Sequence, residues 1–260
     1  IIRLWNPHKS LLIKRYANVH GYEIRDIVIH PGNDQFASCG GDRAVFFWDV
    51  STGKVIRRIR GHEACINTMA YNEDCSVLLT GSYDQTMRAF DLRSNARDPI
   101  QVMSDFKDSV TSVVTSKSLV IAGSVDGCLR TYDIRMGRLL TDKIHHPITS
   151  VRLSNDTNCV LLSCLDSHLR LMDKSNGDVL NDYSGHQNEV YALRSCFSYD
   201  DAYVISGSEN NQILFWDLVE AKCVNCLSGH LSVVTCVEYH PKENYLLSAA
   251  EDGAIKLWGT

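Results

Sequence analysis

The sequence predicts an all-β protein built from one repeated four-stranded unit. A strand-end residue, aromatic in all copies but one, recurs at intervals of 43, 42, 42, 40, 44 and 42 residues. An Asp or Asn stands six residues before each of these markers from the second onward. A fixed period of about 40 residues indicates a repeat architecture. The markers are Trp5, Trp48, Phe90, Tyr132, Met172, Trp216 and Trp258, and the acidic or amide positions are Asp42, Asp84, Asp126, Asp166, Asn210 and Asp252.

Each unit divides into four short antiparallel strands, which we call a, b, c and d in chain order. Strand a follows a His, strand b precedes the acidic position, strand c ends at the marker, and strand d follows a second turn. Runs such as residues 119–122 are continuously apolar, which is typical of a strand buried on both faces. The small residues and Asp between strands b and c predict a tight β-turn.

Seven markers predict seven units in a single domain over residues 1–260, because no linker interrupts the series. The first unit contains only strands c and d, and the last contains only a, b and c. We therefore expect an N-terminally incomplete series, in which an upstream segment supplies the missing strands of the first unit and the closing strand of the seventh. Open strand edges favour aggregation.

Charge and cysteine content restrict the class of function. The net charge is −5, and acidic and basic residues are interspersed, which argues against a non-specific nucleic-acid binder but leaves a local basic patch open. No apolar run is long enough to span a membrane. Ten cysteines lie mostly within apolar strand patterns and lack a disulfide spacing, so we expect a reducing compartment. No cofactor or metal is predicted.

The order Gly-His, two strands, an Asp turn and Trp-Asp at this period resembles the WD40 repeat. The resemblance covers the whole chain and implies a seven-bladed WD40 β-propeller, with one unit per blade. A narrower resemblance is to the mitogen-activated protein kinase organiser family of WD-repeat scaffolds. It rests on the segments 5–7, 21–23, 125–127, 132–137, 147–149 and 169–174. This second resemblance implies a scaffold for kinase cascades in the cytoplasm and for spliceosomal complexes in the nucleus.

In WD40 propellers a His, a strand-b Ser or Thr, the turn Asp and the strand-c Trp form a hydrogen-bonded tetrad. The resemblance implies three complete tetrads: His20, Ser38, Asp42 and Trp48; His186, Ser206, Asn210 and Trp216; and His230, Ser248, Asp252 and Trp258. A fourth set, His62, Thr80 and Asp84, lacks the indole because Phe90 stands at the marker. We predict that Asp252→Ala costs about 1–3 kcal/mol by leaving a buried donor unpaired.

Two units depart from this pattern. The units that contain Asp126 and Asp166 lack the Gly-His pair and the strand-b hydroxyl, so we expect packing alone to hold them.

Ser, His and Asp together can also indicate a nucleophilic site, but their repetition in several units favours a structural role, and no enzyme is predicted. His145-His146 and the Cys223–Cys226 spacing are weak metal signals without further ligands.

Partner-binding residues are expected on the b–c turns and d–a loops, which meet at one face of a propeller. Tyr22, Arg43 and Tyr83 are the best candidates, because Tyr and Arg are enriched at interface hot spots. The further positions on these turns and loops are Lys107, Asp108, His145, His146, Glu189 and Glu251.

A separate motif suggests a different partner. Asp91 with Arg93, and Asp133 with Arg135, follow an aromatic residue and resemble the WDxR box of substrate receptors for cullin-4 ubiquitin ligases. The function predicted is a non-catalytic protein-interaction scaffold. The alternative is a ligase substrate receptor. Neither interpretation includes sequence-specific nucleic-acid binding or membrane binding.

Overall fold

The computed structural model describes residues 1–94 and 96–259, and these residues form β-strands joined by turns. Within them the strands group into seven sheets, five with four strands, one with two and one with three. The all-β prediction is confirmed, and the strand order within each sheet follows the chain, as expected for units of strands a to d. No helix in the described part of the chain is long and apolar enough to cross a membrane.

The chain divides into two compact units, of which unit 1 contains residues 1–126 and 130–141. Its strands are β1 (Ile2–Asn6), β2 (Leu11–Tyr16), β3 (Ile24–Ile29), β4 (Gln35–Gly40), β5 (Ala44–Asp49), β6 (Val55–Arg60), β7 (Ile66–Tyr71), β8 (Val77–Ser82), β9 (Met87–Asp91), β10 (Gln101–Met103), β11 (Val110–Ser116) and β12 (Leu119–Ser124). The sheets are β1–β2, β3–β6 and β7–β10, and β11 and β12 begin the next sheet.

Unit 2 contains residues 127–129 and the described residues from 142 onward. β13 (Cys128–Asp133) and β14 (Arg138–Lys143), which complete the sheet β11–β14, have residues in both units. The remaining strands are β15 (Ile148–Leu153), β16 (Cys159–Cys164), β17 (Leu169–Asp173), β18 (Val179–Tyr183), β19 (Ser195–Phe197), β20 (Tyr203–Gly207), β21 (Gln212–Asp217), β22 (Cys223–Ser228), β23 (Val234–Tyr239), β24 (Tyr245–Ala250) and β25 (Ile255–Gly259). Their sheets are β15–β18, β19–β22 and β23–β25.

Strand b is deeply buried in each complete unit. In β4, β8, β12 and β16 every residue after the first is buried, which agrees with their continuous apolar sequence. Within unit 1, apolar residues of neighbouring sheets form shared clusters, one of which joins Phe47 and Ile59 to Ile66 and Phe90. Within unit 2, Tyr183 and Trp216 lie in a corresponding cluster.

A β-bulge recurs near the start of strand a. The register of the a–b pair shifts between Ile24 and Asp26, and equivalent shifts occur in the pairs that begin at Ile66, Val110, Ile148 and Val234. A bulge strengthens the local twist and redirects a side chain. The bulged Asn67, for example, donates from Nδ2 to the Val110 carbonyl of the following sheet at 2.9 Å. The bulges therefore help to join consecutive sheets.

The b–c turns share one backbone feature. The residue that follows each acidic or amide position has a positive φ: Arg43, Gln85, Gly127, Ser167, Asn211 and Gly253. A positive φ is disfavoured for side chains other than Gly, Asn and Asp. The sequence predicts Gly at such a turn, yet Arg43, Gln85 and Ser167 adopt the conformation as well.

Candidate functional site

One predicted tetrad forms completely, at the top of the sheet β3–β6. The Nδ1 atom of His20 lies 2.6 Å from Asp42 Oδ2, and its Nε2 atom lies 2.7 Å from Ser38 Oγ. The Trp48 indole donates to the same Ser38 Oγ at 2.8 Å. The network ties the loop before strand a to strands b and c and to the turn between them.

The Trp48 indole N–H only donates, so Ser38 Oγ accepts from it. With a neutral His20 ring that carries its proton on Nδ1, the ring donates to Asp42 and the Ser38 hydroxyl donates to Nε2. Burial raises the pKa of Asp42, but hydrogen bonds from the Gly21 N–H and from His20 outweigh burial and lower the pKa. Because Ser38 is fully buried and its hydroxyl is engaged twice, the trio is arranged for structure and not for nucleophilic attack.

The second set forms as predicted, without an indole. His62 Nδ1 lies 2.8 Å from Asp84 Oδ2, and His62 Nε2 lies 2.7 Å from Thr80 Oγ1. The Glu63 N–H also donates to Asp84 at 3.0 Å. Burial raises the pKa of Asp84, but the bonds from His62 and Thr86 outweigh it and hold the pKa well below its usual value.

The set in the sheet β23–β25 is incomplete, which corrects the prediction for Asp252. His230 Nε2 contacts Ser248 Oγ at 2.6 Å, and the Trp258 indole donates to Ser248 at 2.7 Å. Asp252, however, is exposed and accepts the N–H of Ala254 in its own turn at 2.8 Å. His230 Nδ1 is buried without a hydrogen-bond partner among the described residues. The carboxylate faces solvent and its own turn, so its removal leaves no buried donor unpaired.

The predicted set of His186, Ser206, Asn210 and Trp216 does not form. The Trp216 indole donates to the Ser184 carbonyl at 2.9 Å, and the Ser206 hydroxyl donates to the Gly207 carbonyl at 2.9 Å. Asn210 is exposed and donates to Gln212. Neither ring nitrogen of His186 has a hydrogen-bond partner among the described residues, and burial lowers its pKa to about 4.

A carboxylate one position earlier organises the corresponding loop. Glu209 Oε1 accepts the N–H groups of Glu189, Val190 and Tyr191 at 2.8, 2.7 and 2.9 Å. The His-to-Asn spacing here is 24 residues and not 22, so the loop is longer than in the other units. The longer loop moves the acceptor role from Asn210 to Glu209, which sequence reasoning missed although the changed spacing was visible.

The two units without Gly-His are held by arginines, which corrects the expectation of packing alone. Arg130 donates to both carboxylate oxygens of Asp126, at 3.1 and 2.7 Å, and both side chains are almost fully buried. The Lys107 N–H also donates to Asp126, at 3.0 Å. Arg130 lies over the Phe106 ring, with its Cζ atom 4.8 Å from the ring centroid.

The second arginine belongs to the sheet β15–β18. Arg170 donates to both oxygens of Asp166, one of them at 3.2 Å, and its Nε lies 3.6 Å from Asp182 Oδ2. His146 Nε2 lies 3.5 Å from Asp166. Burial raises the pKa of Asp166, but Arg170 outweighs burial and lowers it. The signal for both pairs is an Asp followed four residues later by Arg, where strand c leaves the turn.

The weak metal signals gain no support from the described residues. No group of three or more His, Cys, Asp or Glu side chains in 1–94 and 96–259 is placed to hold a metal ion. His145 and His146 are exposed, and His146 lies beside Asp166. Cys223 and Cys226 are free and exposed.

The expected partner-binding residues of unit 1 lie on exposed turns. Tyr22 and Tyr83 are largely exposed, and Tyr22 lies against Gly41, where an added Cβ would stand 2.7 Å from the Tyr22 Cβ. Arg43 is exposed and donates to the Glu63 carbonyl of the neighbouring loop at 3.3 Å. Lys107 and Asp108 are also exposed.

The WDxR-like residues lie where strand c ends. Asp91 Oδ1 accepts the N–H of Arg93 at 3.0 Å and lies 3.4 Å from its Nε. Asp133 Oδ1 accepts the N–H of Arg135 at 2.9 Å, but the Arg135 side chain has no ion-pair partner among the described residues. The two carboxylates organise their own turns, and both guanidinium groups face solvent.

Two exposed apolar residues of unit 2 were missed. Val190 stands in the loop that Glu209 binds, and Leu231 follows His230 directly. Glu189, which precedes Val190, and Glu251, in the turn after β24, are exposed, as expected for turn residues. Single apolar residues within polar loops give no periodic signal, so sequence reasoning had no basis for selecting these two.

Comparison with known proteins agrees with the repeat geometry. A family model described as "Nucleolar protein 10-like, N-terminal domain" matches residues 19–196, and one described as "WD domain, G-beta repeat" matches residues 177–217 and 221–259. The chain is 43% identical over 257 residues to WD repeat domain-containing protein 83 of Homo sapiens, covering 99% of this chain and 81% of that protein.

A similar match extends to a distant organism. The chain is 35% identical over 286 residues to the WD repeat domain-containing protein 83 homolog of Dictyostelium discoideum, covering 99% of this chain and 87% of that protein. The identity therefore spans nearly the whole chain and is not confined to individual repeats. The chain belongs to the WD40-repeat β-propellers, in the family that includes WD repeat domain-containing protein 83.

Proposed function

We propose that the protein is a non-catalytic scaffold that holds several protein partners together. The observation that carries this proposal is a set of large apolar side chains left exposed on the b–c turns and d–a loops: Tyr22 at 69%, Tyr83 at 66%, Val190 at 76% and Leu231 at 88%. Tyr is enriched among the anchor residues of protein interfaces, and the exposed Val and Leu side chains add apolar area that a partner can cover. The ordered loops beneath them reduce the entropy lost on binding.

The scaffold acts by raising the effective concentration of its partners for one another. The proposal includes a single seven-bladed ring, which the seven sheets and the family membership support. On the resemblance to the kinase-organiser scaffolds, the complexes are kinase-cascade and pre-mRNA splicing assemblies, and the protein works in the cytoplasm and the nucleus.

Affinity purification with the double variant Tyr22→Ala/Tyr83→Ala tests the proposal. We expect the variant to lose at least one partner that the parent retains, with an unchanged melting temperature. The matched control is Leu140→Ala/Val179→Ala, which removes exposed apolar side chains on β14 and β18, away from these loops and from the WDxR-like residues. An identical partner set from parent and variant would contradict the assignment of these loops.

The ligase-receptor alternative is favoured by one observation, the solvent-facing guanidinium groups of Arg93 and Arg135. If it is correct, purification recovers a cullin-4 adaptor, and Arg93→Ala/Arg135→Ala abolishes that recovery. Kinase or spliceosomal partners that survive the double change support the scaffold without the ligase.

A further inference from the structure

Three arginines without acidic partners converge on one surface recess of unit 1. Arg58, Arg60 and Arg97 line a cavity of about 380 Å³. All three are exposed, and among the described residues none has a carboxylate within ion-pair distance. In a chain with a net charge of −5, this recess is a local concentration of positive charge.

The strand β6 places two of these arginines side by side. Arg58 and Arg60 stand two residues apart and therefore project from the same face of the strand. Ile59 points the other way, into the core. Arg58 packs over the Phe46 ring, with its Cζ atom 4.8 Å from the ring centroid, and this contact limits the freedom of its guanidinium group.

A separate arginine fixes the segment that carries Arg97. Arg57 donates to the carbonyl groups of Leu92 at 3.2 Å, Asp91 at 3.5 Å and Ala96 at 2.9 Å. These bonds hold the backbone next to Arg97 against β6, which keeps Arg97 beside Arg58 and Arg60. The backbone positions of the three arginines are therefore fixed, and the Phe46 ring also holds the Arg58 side chain.

Three guanidinium groups suit a dianion with several acceptor oxygens. A phosphate monoester carries close to two negative charges at neutral pH and three acceptor oxygens, and arginine binds such oxygens through pairs of parallel hydrogen bonds. A carboxylate offers one charge and two oxygens, so it leaves two of the three positive charges uncompensated, whereas a phosphate dianion leaves one. No aromatic ring lines the recess to stack a base, which disfavours single-stranded nucleic acid.

We infer that this recess binds a phosphorylated serine or threonine in an extended segment of a protein partner. β6 is the last strand of the sheet β3–β6, so an extended segment can lie along its outer edge while the phosphate enters the recess. The inference deepens the proposed binding role and adds a surface separate from the Tyr22 and Tyr83 turns. It requires only a direct binding measurement, so it stands or fails independently of the purification test.

Fluorescence anisotropy with the purified chain tests the inference. The probe is the labelled peptide Gly-Ser-Gly-phosphoSer-Gly-Ser-Gly, and its unphosphorylated form and a form with Glu at the central position are compared with it. We expect the phosphopeptide to bind more than about tenfold more tightly than either comparison peptide. Inorganic phosphate should compete. Equal affinity for the Glu and phosphoserine peptides would overturn the inference.

Substitutions of the three arginines test whether the phosphopeptide binds in the recess. Arg58→Lys/Arg60→Lys/Arg97→Lys keeps the charge and the aliphatic stems but loses the planar fork, so we expect the affinity to fall by about tenfold or more. The charge-matched control is Arg3→Lys/Arg15→Lys/Arg138→Lys, at exposed positions elsewhere. Equal loss in both variants, or tighter binding of single-stranded oligouridine than of the phosphopeptide, would show a non-specific polyanion effect and refute the site. Melting curves verify that each variant is folded.

Discussion

In the sheet β3–β6 the carboxylate of Asp42 meets a histidine, whereas in β11–β14 the carboxylate of Asp126 meets an arginine. Both carboxylates also accept a backbone N–H from the loop before strand a, from Gly21 and from Lys107 respectively. The loop-to-turn bond is thus the constant element, and the counter-group varies. The part of the tetrad that these two sheets share is therefore the acidic turn, and not the histidine.

Breaking the Asp126–Arg130 ion pair should lower the free energy of unfolding more than breaking the Asp42–His20 contact. Arg130→Met removes the charge but keeps a long apolar side chain, and it leaves the buried carboxylate of Asp126 without the counter-charge of Arg130. We expect a loss of about 3–5 kcal/mol in the free energy of unfolding, measured by urea denaturation. The double variant Asp126→Asn/Arg130→Met should recover at least about half of that loss. A double variant as unstable as the single one would show that the ion pair is not the cause.

A buried histidine that lacks a carboxylate partner should make the stability of the fold depend on pH, and His186 is such a residue. Burial lowers its pKa from 6.5 to about 4, so between these values the unfolded chain binds a proton that the folded chain does not. Stability that is present above pH 6.5 is therefore lost as pH falls toward 4, by about 2–3 kcal/mol.

The variant His186→Phe isolates that effect, because it keeps an aromatic ring against Trp216 and removes the titration. We expect a flatter dependence of unfolding free energy on pH between 7.5 and 4.5 than in the parent, on the order of the 2–3 kcal/mol above. Parallel pH profiles for parent and variant would disprove the link to His186.

Asp42→Ala tests how much the Asp42–His20 contact contributes to stability. It removes the acceptor for both His20 Nδ1–H and the Gly21 N–H, so we expect a loss of about 1–3 kcal/mol by thermal or urea unfolding at pH 7. Asp42→Asn should lose less, because the amide oxygen still accepts one of the two bonds.

The smallest effect is expected at Asp252, which serves as the matched control for Asp42. Its carboxylate is exposed and accepts the Ala254 N–H within its own turn, so Asp252→Ala should cost less than about 0.5 kcal/mol. A cost equal to that of Asp42→Ala would mean that both carboxylates support their sheets to the same extent.

The sequence predicted the strands and the β3–β6 tetrad well for a physical reason. Hydrophobic periodicity and turn residues act locally, and the spacing of 22 residues from His20 to Asp42 and from His62 to Asp84 repeats without change. The same spacing at His230 still yielded the contacts to Ser248 and Trp258. There only Asp252 differs, because its side chain turns outward.

The predictions from sequence were wrong where a residue at a different position in the unit makes the contact that was assigned to another residue. Arg130 takes the role of a histidine from a different part of the unit. The Asp-to-Arg spacing of four residues is visible in the sequence, but it also joins Asp84 to Arg88 beside His62, so the spacing alone does not separate the two arrangements. Glu209 replaces Asn210 only because the preceding loop is longer. The Arg57 contacts that place Arg97 join residues 34 to 39 positions apart, which no local pattern encodes.

The positive φ that recurs in the b–c turns has a consequence for protein engineering. Six turns adopt one backbone conformation with Arg, Gln, Gly, Ser and Asn at the left-handed position, so several side chains are compatible with it. Replacing Arg43 by Gly should relieve backbone strain, whereas β-branched residues and Pro there should destabilise the turn. A combinatorial library at these positions would vary the recognition surface and leave the β-sheets beneath it unchanged.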